Sequence, residues 1–158
     1  MGTEFNEQIT YYNGLQDTNI STTFLAVDTY TNLKFNPENI VNSFHTISFN
    51  PSTSSFIINT LGIFLVQFRL SITGGANDQY TTIMSLNNKN LRHTQQTFTT
   101  KGANIWEVQS LALLDLTAIP TSSSFGQSRN QIRLQIKNDT DTSTIILKNS
   151  SVVIIKIQ

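Results

Sequence analysis

Apolar and polar residues alternate along this chain in short runs. No stretch longer than about eight residues keeps the i, i+3, i+4, i+7 spacing of an amphipathic helix. β-branched and aromatic runs broken by Gly, Asn, Ser and Pro recur instead, at the spacing of a sandwich or barrel. Residues 23–27 (TFLAV) are the first such run, and residues 33–35 make a shorter one that ends at Asn36-Pro37, a turn initiator. The densest stretch is residues 47–70, ISFNPSTSSFIINTLGIFLVQFRL. Ile47 and Phe49 alternate with Ser48 as a half-buried strand, and Asn50-Pro51 with the following Ser and Thr residues makes a turn. Phe56 and Ile58 share the face of a second strand, and residues 59–62 turn again. Phe64, Val66, Phe68, Leu70 and Ile72 then face one way, while Ile63, Leu65, Gln67 and Arg69 face the other. A strand apolar on much of both faces belongs at the centre of a sheet, so these three runs predict an antiparallel meander in the middle of one.

Further along, Gly74-Gly75 ends that strand, residues 81–86 form the next, and residues 87–90 (NNKN) turn back into residues 91–99. Residues 106–116 (WEVQSLALLDL) fit a strand, with Trp106, Val108, Ser110, Ala112, Leu114 and Leu116 on one face, although the leucines also suit a helix. A Ser-rich loop follows at 117–128. Residues 131–137 (QIRLQIK) alternate cleanly, residues 138–142 turn, and residues 143–147 and 152–157 close the chain as two strands. There are no repeats and no linkers, which predicts one all-β domain over residues 22–158. Residues 6–21 precede it as an N-terminal segment, and residues 1–5 (MGTEF) read as a remnant of a cloning vector.

Composition supports strands. Of 158 residues, 22 are Thr, 17 Asn and 16 Ser, and only 13% are charged, a solvent face that suits pleated sheet better than helix. A chain of this length buries roughly 70% of its unfolded surface and holds a core without staples, as it must, having no Cys. Ten basic and ten acidic residues balance, leaving no electrostatic footprint for nucleic acid and no polybasic patch for a membrane. No apolar run reaches the ~18 residues of a membrane span.

Candidate chemistry is sparse. His45 and His93 have no partner at ligand spacing, so no metal and no cofactor is expected. No phosphate-cradling Gly loop or nucleophile elbow is present. Glu107 and Asp115 on one strand would lie about 26 Å apart, too far for paired acid/base work, and no catalytic residue is assigned. Asp139 and Asp141 are oxygen ligands suited to Ca²⁺, or residues of a solvated turn. The Asn-x-Ser/Thr sequons at Asn19, Asn138 and Asn149 match chance in so Ser- and Thr-rich a chain. The aromatic and apolar residues Phe64, Val66, Phe68 and Leu70 are candidates for the core or for a subunit interface.

The order LKFNPENIVN (33–42), then ISFNPSTSSFIINTLGIFLVQFRLSI (47–72), resembles the first half of the TNF/complement C1q globular-head superfamily. Phe35-Asn36 and Asn42 stand in its first motif, and Phe49 and Phe56 flank the turn of its second. Gly62, Phe64, Val66 and Phe68 stand in the third, Phe64 replacing the usual Tyr. The ending IILKNSSVVIIKI (145–157) is similar to the last strands of bacterial members such as the heads of collagen-like spore-surface glycoproteins. Two departures are plain: residues 116–134 lack the Gly-Asp step common before the penultimate strand, and there is no Gly-x-y stalk. The resemblance implies a ten-stranded jelly-roll sandwich assembling as a homotrimer, its inner sheet at the axis. Phe64, Phe68 and the alternate-face residues of their strand would divide between core and seam.

The function so implied is non-enzymatic: a trimeric head displayed on a bacterial spore or cell surface, or at a phage fibre tip, for structure or adhesion. Its partner is itself, with a glycan or a surface protein receptor as further partners, and neither nucleic acid binding nor membrane insertion is expected. Two alternatives stay open. One is a trimeric lectin of the same fold holding sugar between protomers, with Trp106, Asn104 and Tyr80 as site candidates. The other is a viral jelly-roll capsid protein, against which the lack of a basic arm weighs.

Overall fold

The computed structural model describes residues 9–13, 19–35, 39–42, 47–118 and 130–158. They form twelve strands, all paired antiparallel. In chain order these are β1 (Ile9–Asn13), β2 (Ile20–Thr22), β3 (Thr31–Asn32), β4 (Asn39–Asn42), β5 (Ile47–Asn50) and β6 (Ser55–Ile58), then β7 (Gly62–Thr73), β8 (Ala76–Leu86), β9 (Lys89–Lys101), β10 (Trp106–Leu116), β11 (Asn130–Asn138) and β12 (Ile145–Lys156). One sheet runs β10-β7-β12-β1-β4, with β2 also on β12. The other runs β5-β6-β11-β8-β9, with β3 also on β11. Ten strands therefore carry the two sheet paths, five on each, and β2 and β3 are short additions beside β12 and β11. The sheets pack face to face as an all-β antiparallel sandwich, the jelly roll that the resemblance implied.

The core is made where the alternating faces meet. Phe64, Val66, Phe68, Leu70 and Ile72 of β7 are buried, as are Ile132, Leu134 and Ile136 of β11 in the opposite sheet. Phe56 joins the layers: its ring lies 5.9 Å from Phe68, 6.1 Å from Phe35 and 5.0 Å from Phe49. Such aromatic pairs add to the burial of their own large surfaces.

Several expectations need correction. Residues 47–70 are not one meander. β5 and β6 do form a hairpin, but β7 crosses to the other sheet, where it lies central between β10 and β12. Gly62 makes the crossing possible. Its φ is +152°, and a Cβ there would stand 2.5 Å from the Gln158 carbonyl oxygen, which accepts from Ile63 N–H at 2.7 Å. Residues 23–27 are not a strand: Phe24 is buried against Tyr80, while Leu25 is 99% exposed, and the chain turns at Asp28, φ 57°. β2 and β1 lie before them, so the sheets take in residues ahead of the expected boundary at 22. The ending is one strand, not two. β12 runs through residues 148–151 by a bulge, Leu147 pairing with Ile72 and Asn149 with Ser71.

Other elements follow the pattern. Residues 106–116 are a strand, paired along their whole length with β7. The β8–β9 hairpin turns at Asn87-Asn88, φ 50° and 67°, the left-handed pair that a two-residue hairpin of the favoured twist needs and that Asn tolerates. At the β5–β6 turn, Asn50 Oδ1 accepts from Ser52 N–H at 3.0 Å and from its hydroxyl at 2.7 Å. One irregularity lies at the sheet edge. Thr82 pairs with Gln96 and Met84 with Leu91, so residues 92–95 of β9 stand opposite Ile83 alone. Within this wide bulge Thr94 is buried; its Oγ1 accepts from Met84 N–H at 2.9 Å and donates to Leu91 O at 2.7 Å.

Candidate functional site

Alternation decides what the first sheet shows to solvent. Even-numbered residues of β7 and β10 enter the core, so the odd-numbered ones face outward. Across β10, β7 and β12 they line up in rows: Leu113, Leu65, Ile155; then Leu111, Gln67, Val153; then Gln109, Arg69, Ser151; then Glu107, Ser71, Asn149. Asp115 and Ile63 make a further row beyond the first, with Ile157 bonded to Ile63 there. The face thus has an apolar end and a polar end. At the apolar end Leu111, Leu113 and Ile157 are 57%, 62% and 54% exposed, beside the half-buried Ile63, Leu65, Val153 and Ile155. Single exposed apolar residues are ordinary, but a contiguous group on one sheet face marks a contact surface.

The polar end holds a depression of about 240 Å³ whose lining includes Arg69, Ser71, Glu107, Gln109, Asn149 and Ser151. The β12 bulge at residue 148 borders it. By resetting the register, the bulge puts Asn149 and Ser151 on the outward face while Ser150 is buried.

The interface candidates Phe64, Val66, Phe68 and Leu70 are at most 3% exposed and lie in the core of the chain's own sandwich. The outward residues Leu111 and Leu113 escaped that list. Their signal was in the sequence all the same, because LALL places leucine on both faces of β10. The glycan-site candidates are not brought together at a rim. Tyr80 is wholly buried, which removes it from any sugar; Trp106 packs half-buried against the core; Asn104 is exposed in the β9–β10 turn. Glu107 and Asp115 both face outward on β10, eight residues apart along the strand. Among the described residues no group of three His, Cys, Asp or Glu could hold a metal. His93 is exposed on β9, and His45 lies outside the described residues, as do residues 119–129 of the expected loop.

Charge is concentrated at one end of the second sheet. Lys137 of β11 hydrogen-bonds Asp28, lies 3.0 Å from Asp139, and sits 5.3 Å from the Tyr30 ring centroid. The two carboxylates raise the Lys137 pKa, the hydrogen bond to Asp28 most of all, and the same bond lowers that of Asp28. Asp139 is held from the other side by the Thr81 hydroxyl at 2.6 Å. Asp141 accepts from Ser143 N–H at 2.7 Å, which lowers its pKa. Asp139 and Asp141, considered above as Ca²⁺ ligands or as residues of a turn, are both engaged in contacts that hold the turn after β11. Asn138 is buried, out of reach of glycosylation.

Comparison with known proteins fits this geometry. No protein-family model matches the chain, and no curated protein does. Solved structures do. The Eiger TNF from S. frugiperda is 15% identical with a TM-score of 0.63, over 96% of this chain and 93% of that one. Murine APRIL at pH 8.0 is 9% identical with a TM-score of 0.60, over 96% of this chain and all of that one. The globular domain of zebrafish complement 1qA is 9% identical with a TM-score of 0.57, over 97% and 98%. At such identities the likeness is one of fold, and it spans almost the whole chain. Among the described residues no helix is long and apolar enough to cross a membrane.

Proposed function

We propose that this chain, which has the TNF/C1q-like jelly-roll fold, is a non-enzymatic head domain. It acts as a homotrimer displayed on a surface, that of a bacterial cell or spore or the tip of a phage fibre, and serves structure or adhesion. The observation that carries the reading is the apolar end of the outward face of β10, β7 and β12. Leu111, Leu113 and Ile157 are each more than half exposed there, on strands whose other face already fills the core. An apolar surface of this kind is stable in water when another copy covers it. A closed ring of identical chains covers each one once without leaving a sticky end. The fold-level likeness along nearly the whole chain to the TNF and complement structures supports the same reading.

Solution mass tests it. Light scattering at low micromolar concentration is expected to give three times the 17.7 kDa chain mass. A monomer at all accessible concentrations would sink the proposal.

A further inference from the structure

The outward face of β10, β7 and β12 changes character halfway along. Its polar end continues the plane of its apolar end on the same three strands, so a neighbour seated on the one borders the other. Two charges stand at the polar end. Arg69 on β7 and Glu107 on β10 are both exposed and lie one row apart on adjacent strands. Neither makes an ion pair among the described residues, where Lys137 forms the salt bridges with Asp28 and Asp139. A charge left unpaired while water is excluded around it is costly. The two are not paired with each other as they stand, so an interface that covers this end favours an opposite charge beside each.

We propose that Arg69 of each chain pairs with Glu107 of the partner subunit across the seam; the inference rests on the assembly reading above. Among the described residues the other acids are engaged, Asp78 by the Tyr80 hydroxyl. Asp115, at the far end of β10, accepts from the Thr117 hydroxyl and N–H; Asp28 and Asp139 are held by Lys137; Asp141 is held by Ser143 and Asn138. Glu107 is the acid on this face without such a partner. Placement also fits a ring. β10 is the last strand of its sheet and β7 lies inside it. An edge strand of one chain therefore meets an inner strand of the next, and each chain gives one carboxylate and receives one around the closed circle. The depression of about 240 Å³ gives the incoming side chain room. Gln109, Asn149 and Ser151 around it offer acceptors to the guanidinium N–H groups that the carboxylate does not take. The pair fixes the register of the seam, which an apolar patch alone leaves loosely defined.

A charge-swap series tests the pairing. Wild type, Arg69→Glu, Glu107→Arg and the double variant Arg69→Glu/Glu107→Arg are compared by sedimentation and light scattering over a concentration series. Circular dichroism confirms that each is folded, as expected at exposed positions. Each single variant brings like charges together at every seam and should raise the concentration of half-dissociation by about tenfold or more. The double variant restores opposite charges and should return it to within about threefold of wild type. If wild type assembles and the single variants dissociate at the same concentration, the pairing is overturned and the assembly stands. If the singles weaken assembly and the double is no better, the two residues do not meet, and the pairing is again overturned. A monomeric wild type overturns the assembly reading and the pairing with it.

Discussion

Tyr80 is entirely buried, yet its hydroxyl is occupied on both sides. It accepts from Gly75 N–H at 3.2 Å and donates to Asp78 Oδ2 at 3.3 Å, while its ring lies between Phe24 and Phe98 at 6.0 and 5.8 Å. Burial, more than any neighbour, pushes its pKa up to about 12 from the ordinary 10.0. In the unfolded chain the phenol ionises near 10, so between pH 10 and 12 the unfolded state has lost a proton that the folded state keeps. Stability contributed by the neutral phenol is full below pH 10 and is lost as pH rises towards 12. Urea unfolding across that window should fall less steeply for Tyr80→Phe than for wild type, by the equivalent of one proton. Equal slopes would contradict the assignment. At neutral pH the same variant should lose about 1–2 kcal/mol, because buried Asp78 loses a donor. Little of this was legible beforehand. Residues 76–86, ANDQYTTIMSL, do not alternate clearly, and Phe24, which closes over the ring, is distant in sequence. Tyr80, between Gln79 and Thr81, therefore reads from the sequence as a glycan-site candidate.

At the scale of elements, the strands with strict alternation were readable in type and facing: β7, β10 and β11 each put the expected residues inward. What period-2 patterning does not encode is which sheet a strand joins. A short connection serves a hairpin and a crossing equally, so β7 looked like the third strand of a meander when it belongs to the opposite layer. Irregularity is also invisible to a simple alternation rule. KNSS in β12 has the composition of a turn, yet pairing of residues 149–151 with β7, joined by β1 at Ser151, carries it through as strand. The wide β9 bulge was equally hidden, and a single side chain fastens it. Thr94→Val keeps the shape but removes both hydroxyl bonds, leaving Met84 N–H buried without an acceptor. Chemical unfolding should show a loss of about 1–3 kcal/mol. Slow exchange of the Met84 amide in wild type should become fast in the variant. An unchanged midpoint would mean that the backbone re-closes without Thr94.

For the whole molecule, the two sheets enclose one core and leave one face with unfinished apolar business. Replacing Leu111 and Leu113 together by Glu places charge where a neighbour is proposed to sit while touching nothing inside the chain. The folded protomer should keep its stability to within about 1 kcal/mol, since exposed substitutions cost little. The mass should fall to the 17.7 kDa of one chain. Loss of folding with loss of mass would place those leucines in the chain's own core instead. β9 adds a further consequence. It ends its sheet, and a bare terminal strand invites another chain to zip onto its free backbone groups. Residues 92–95 bow out of line opposite Ile83 and break that row of donors and acceptors midway. The chain that exposes apolar side chains on one flat side is thereby blunted along this flank. Strand addition along this flank, which needs an unbroken row of backbone donors and acceptors, is interrupted midway.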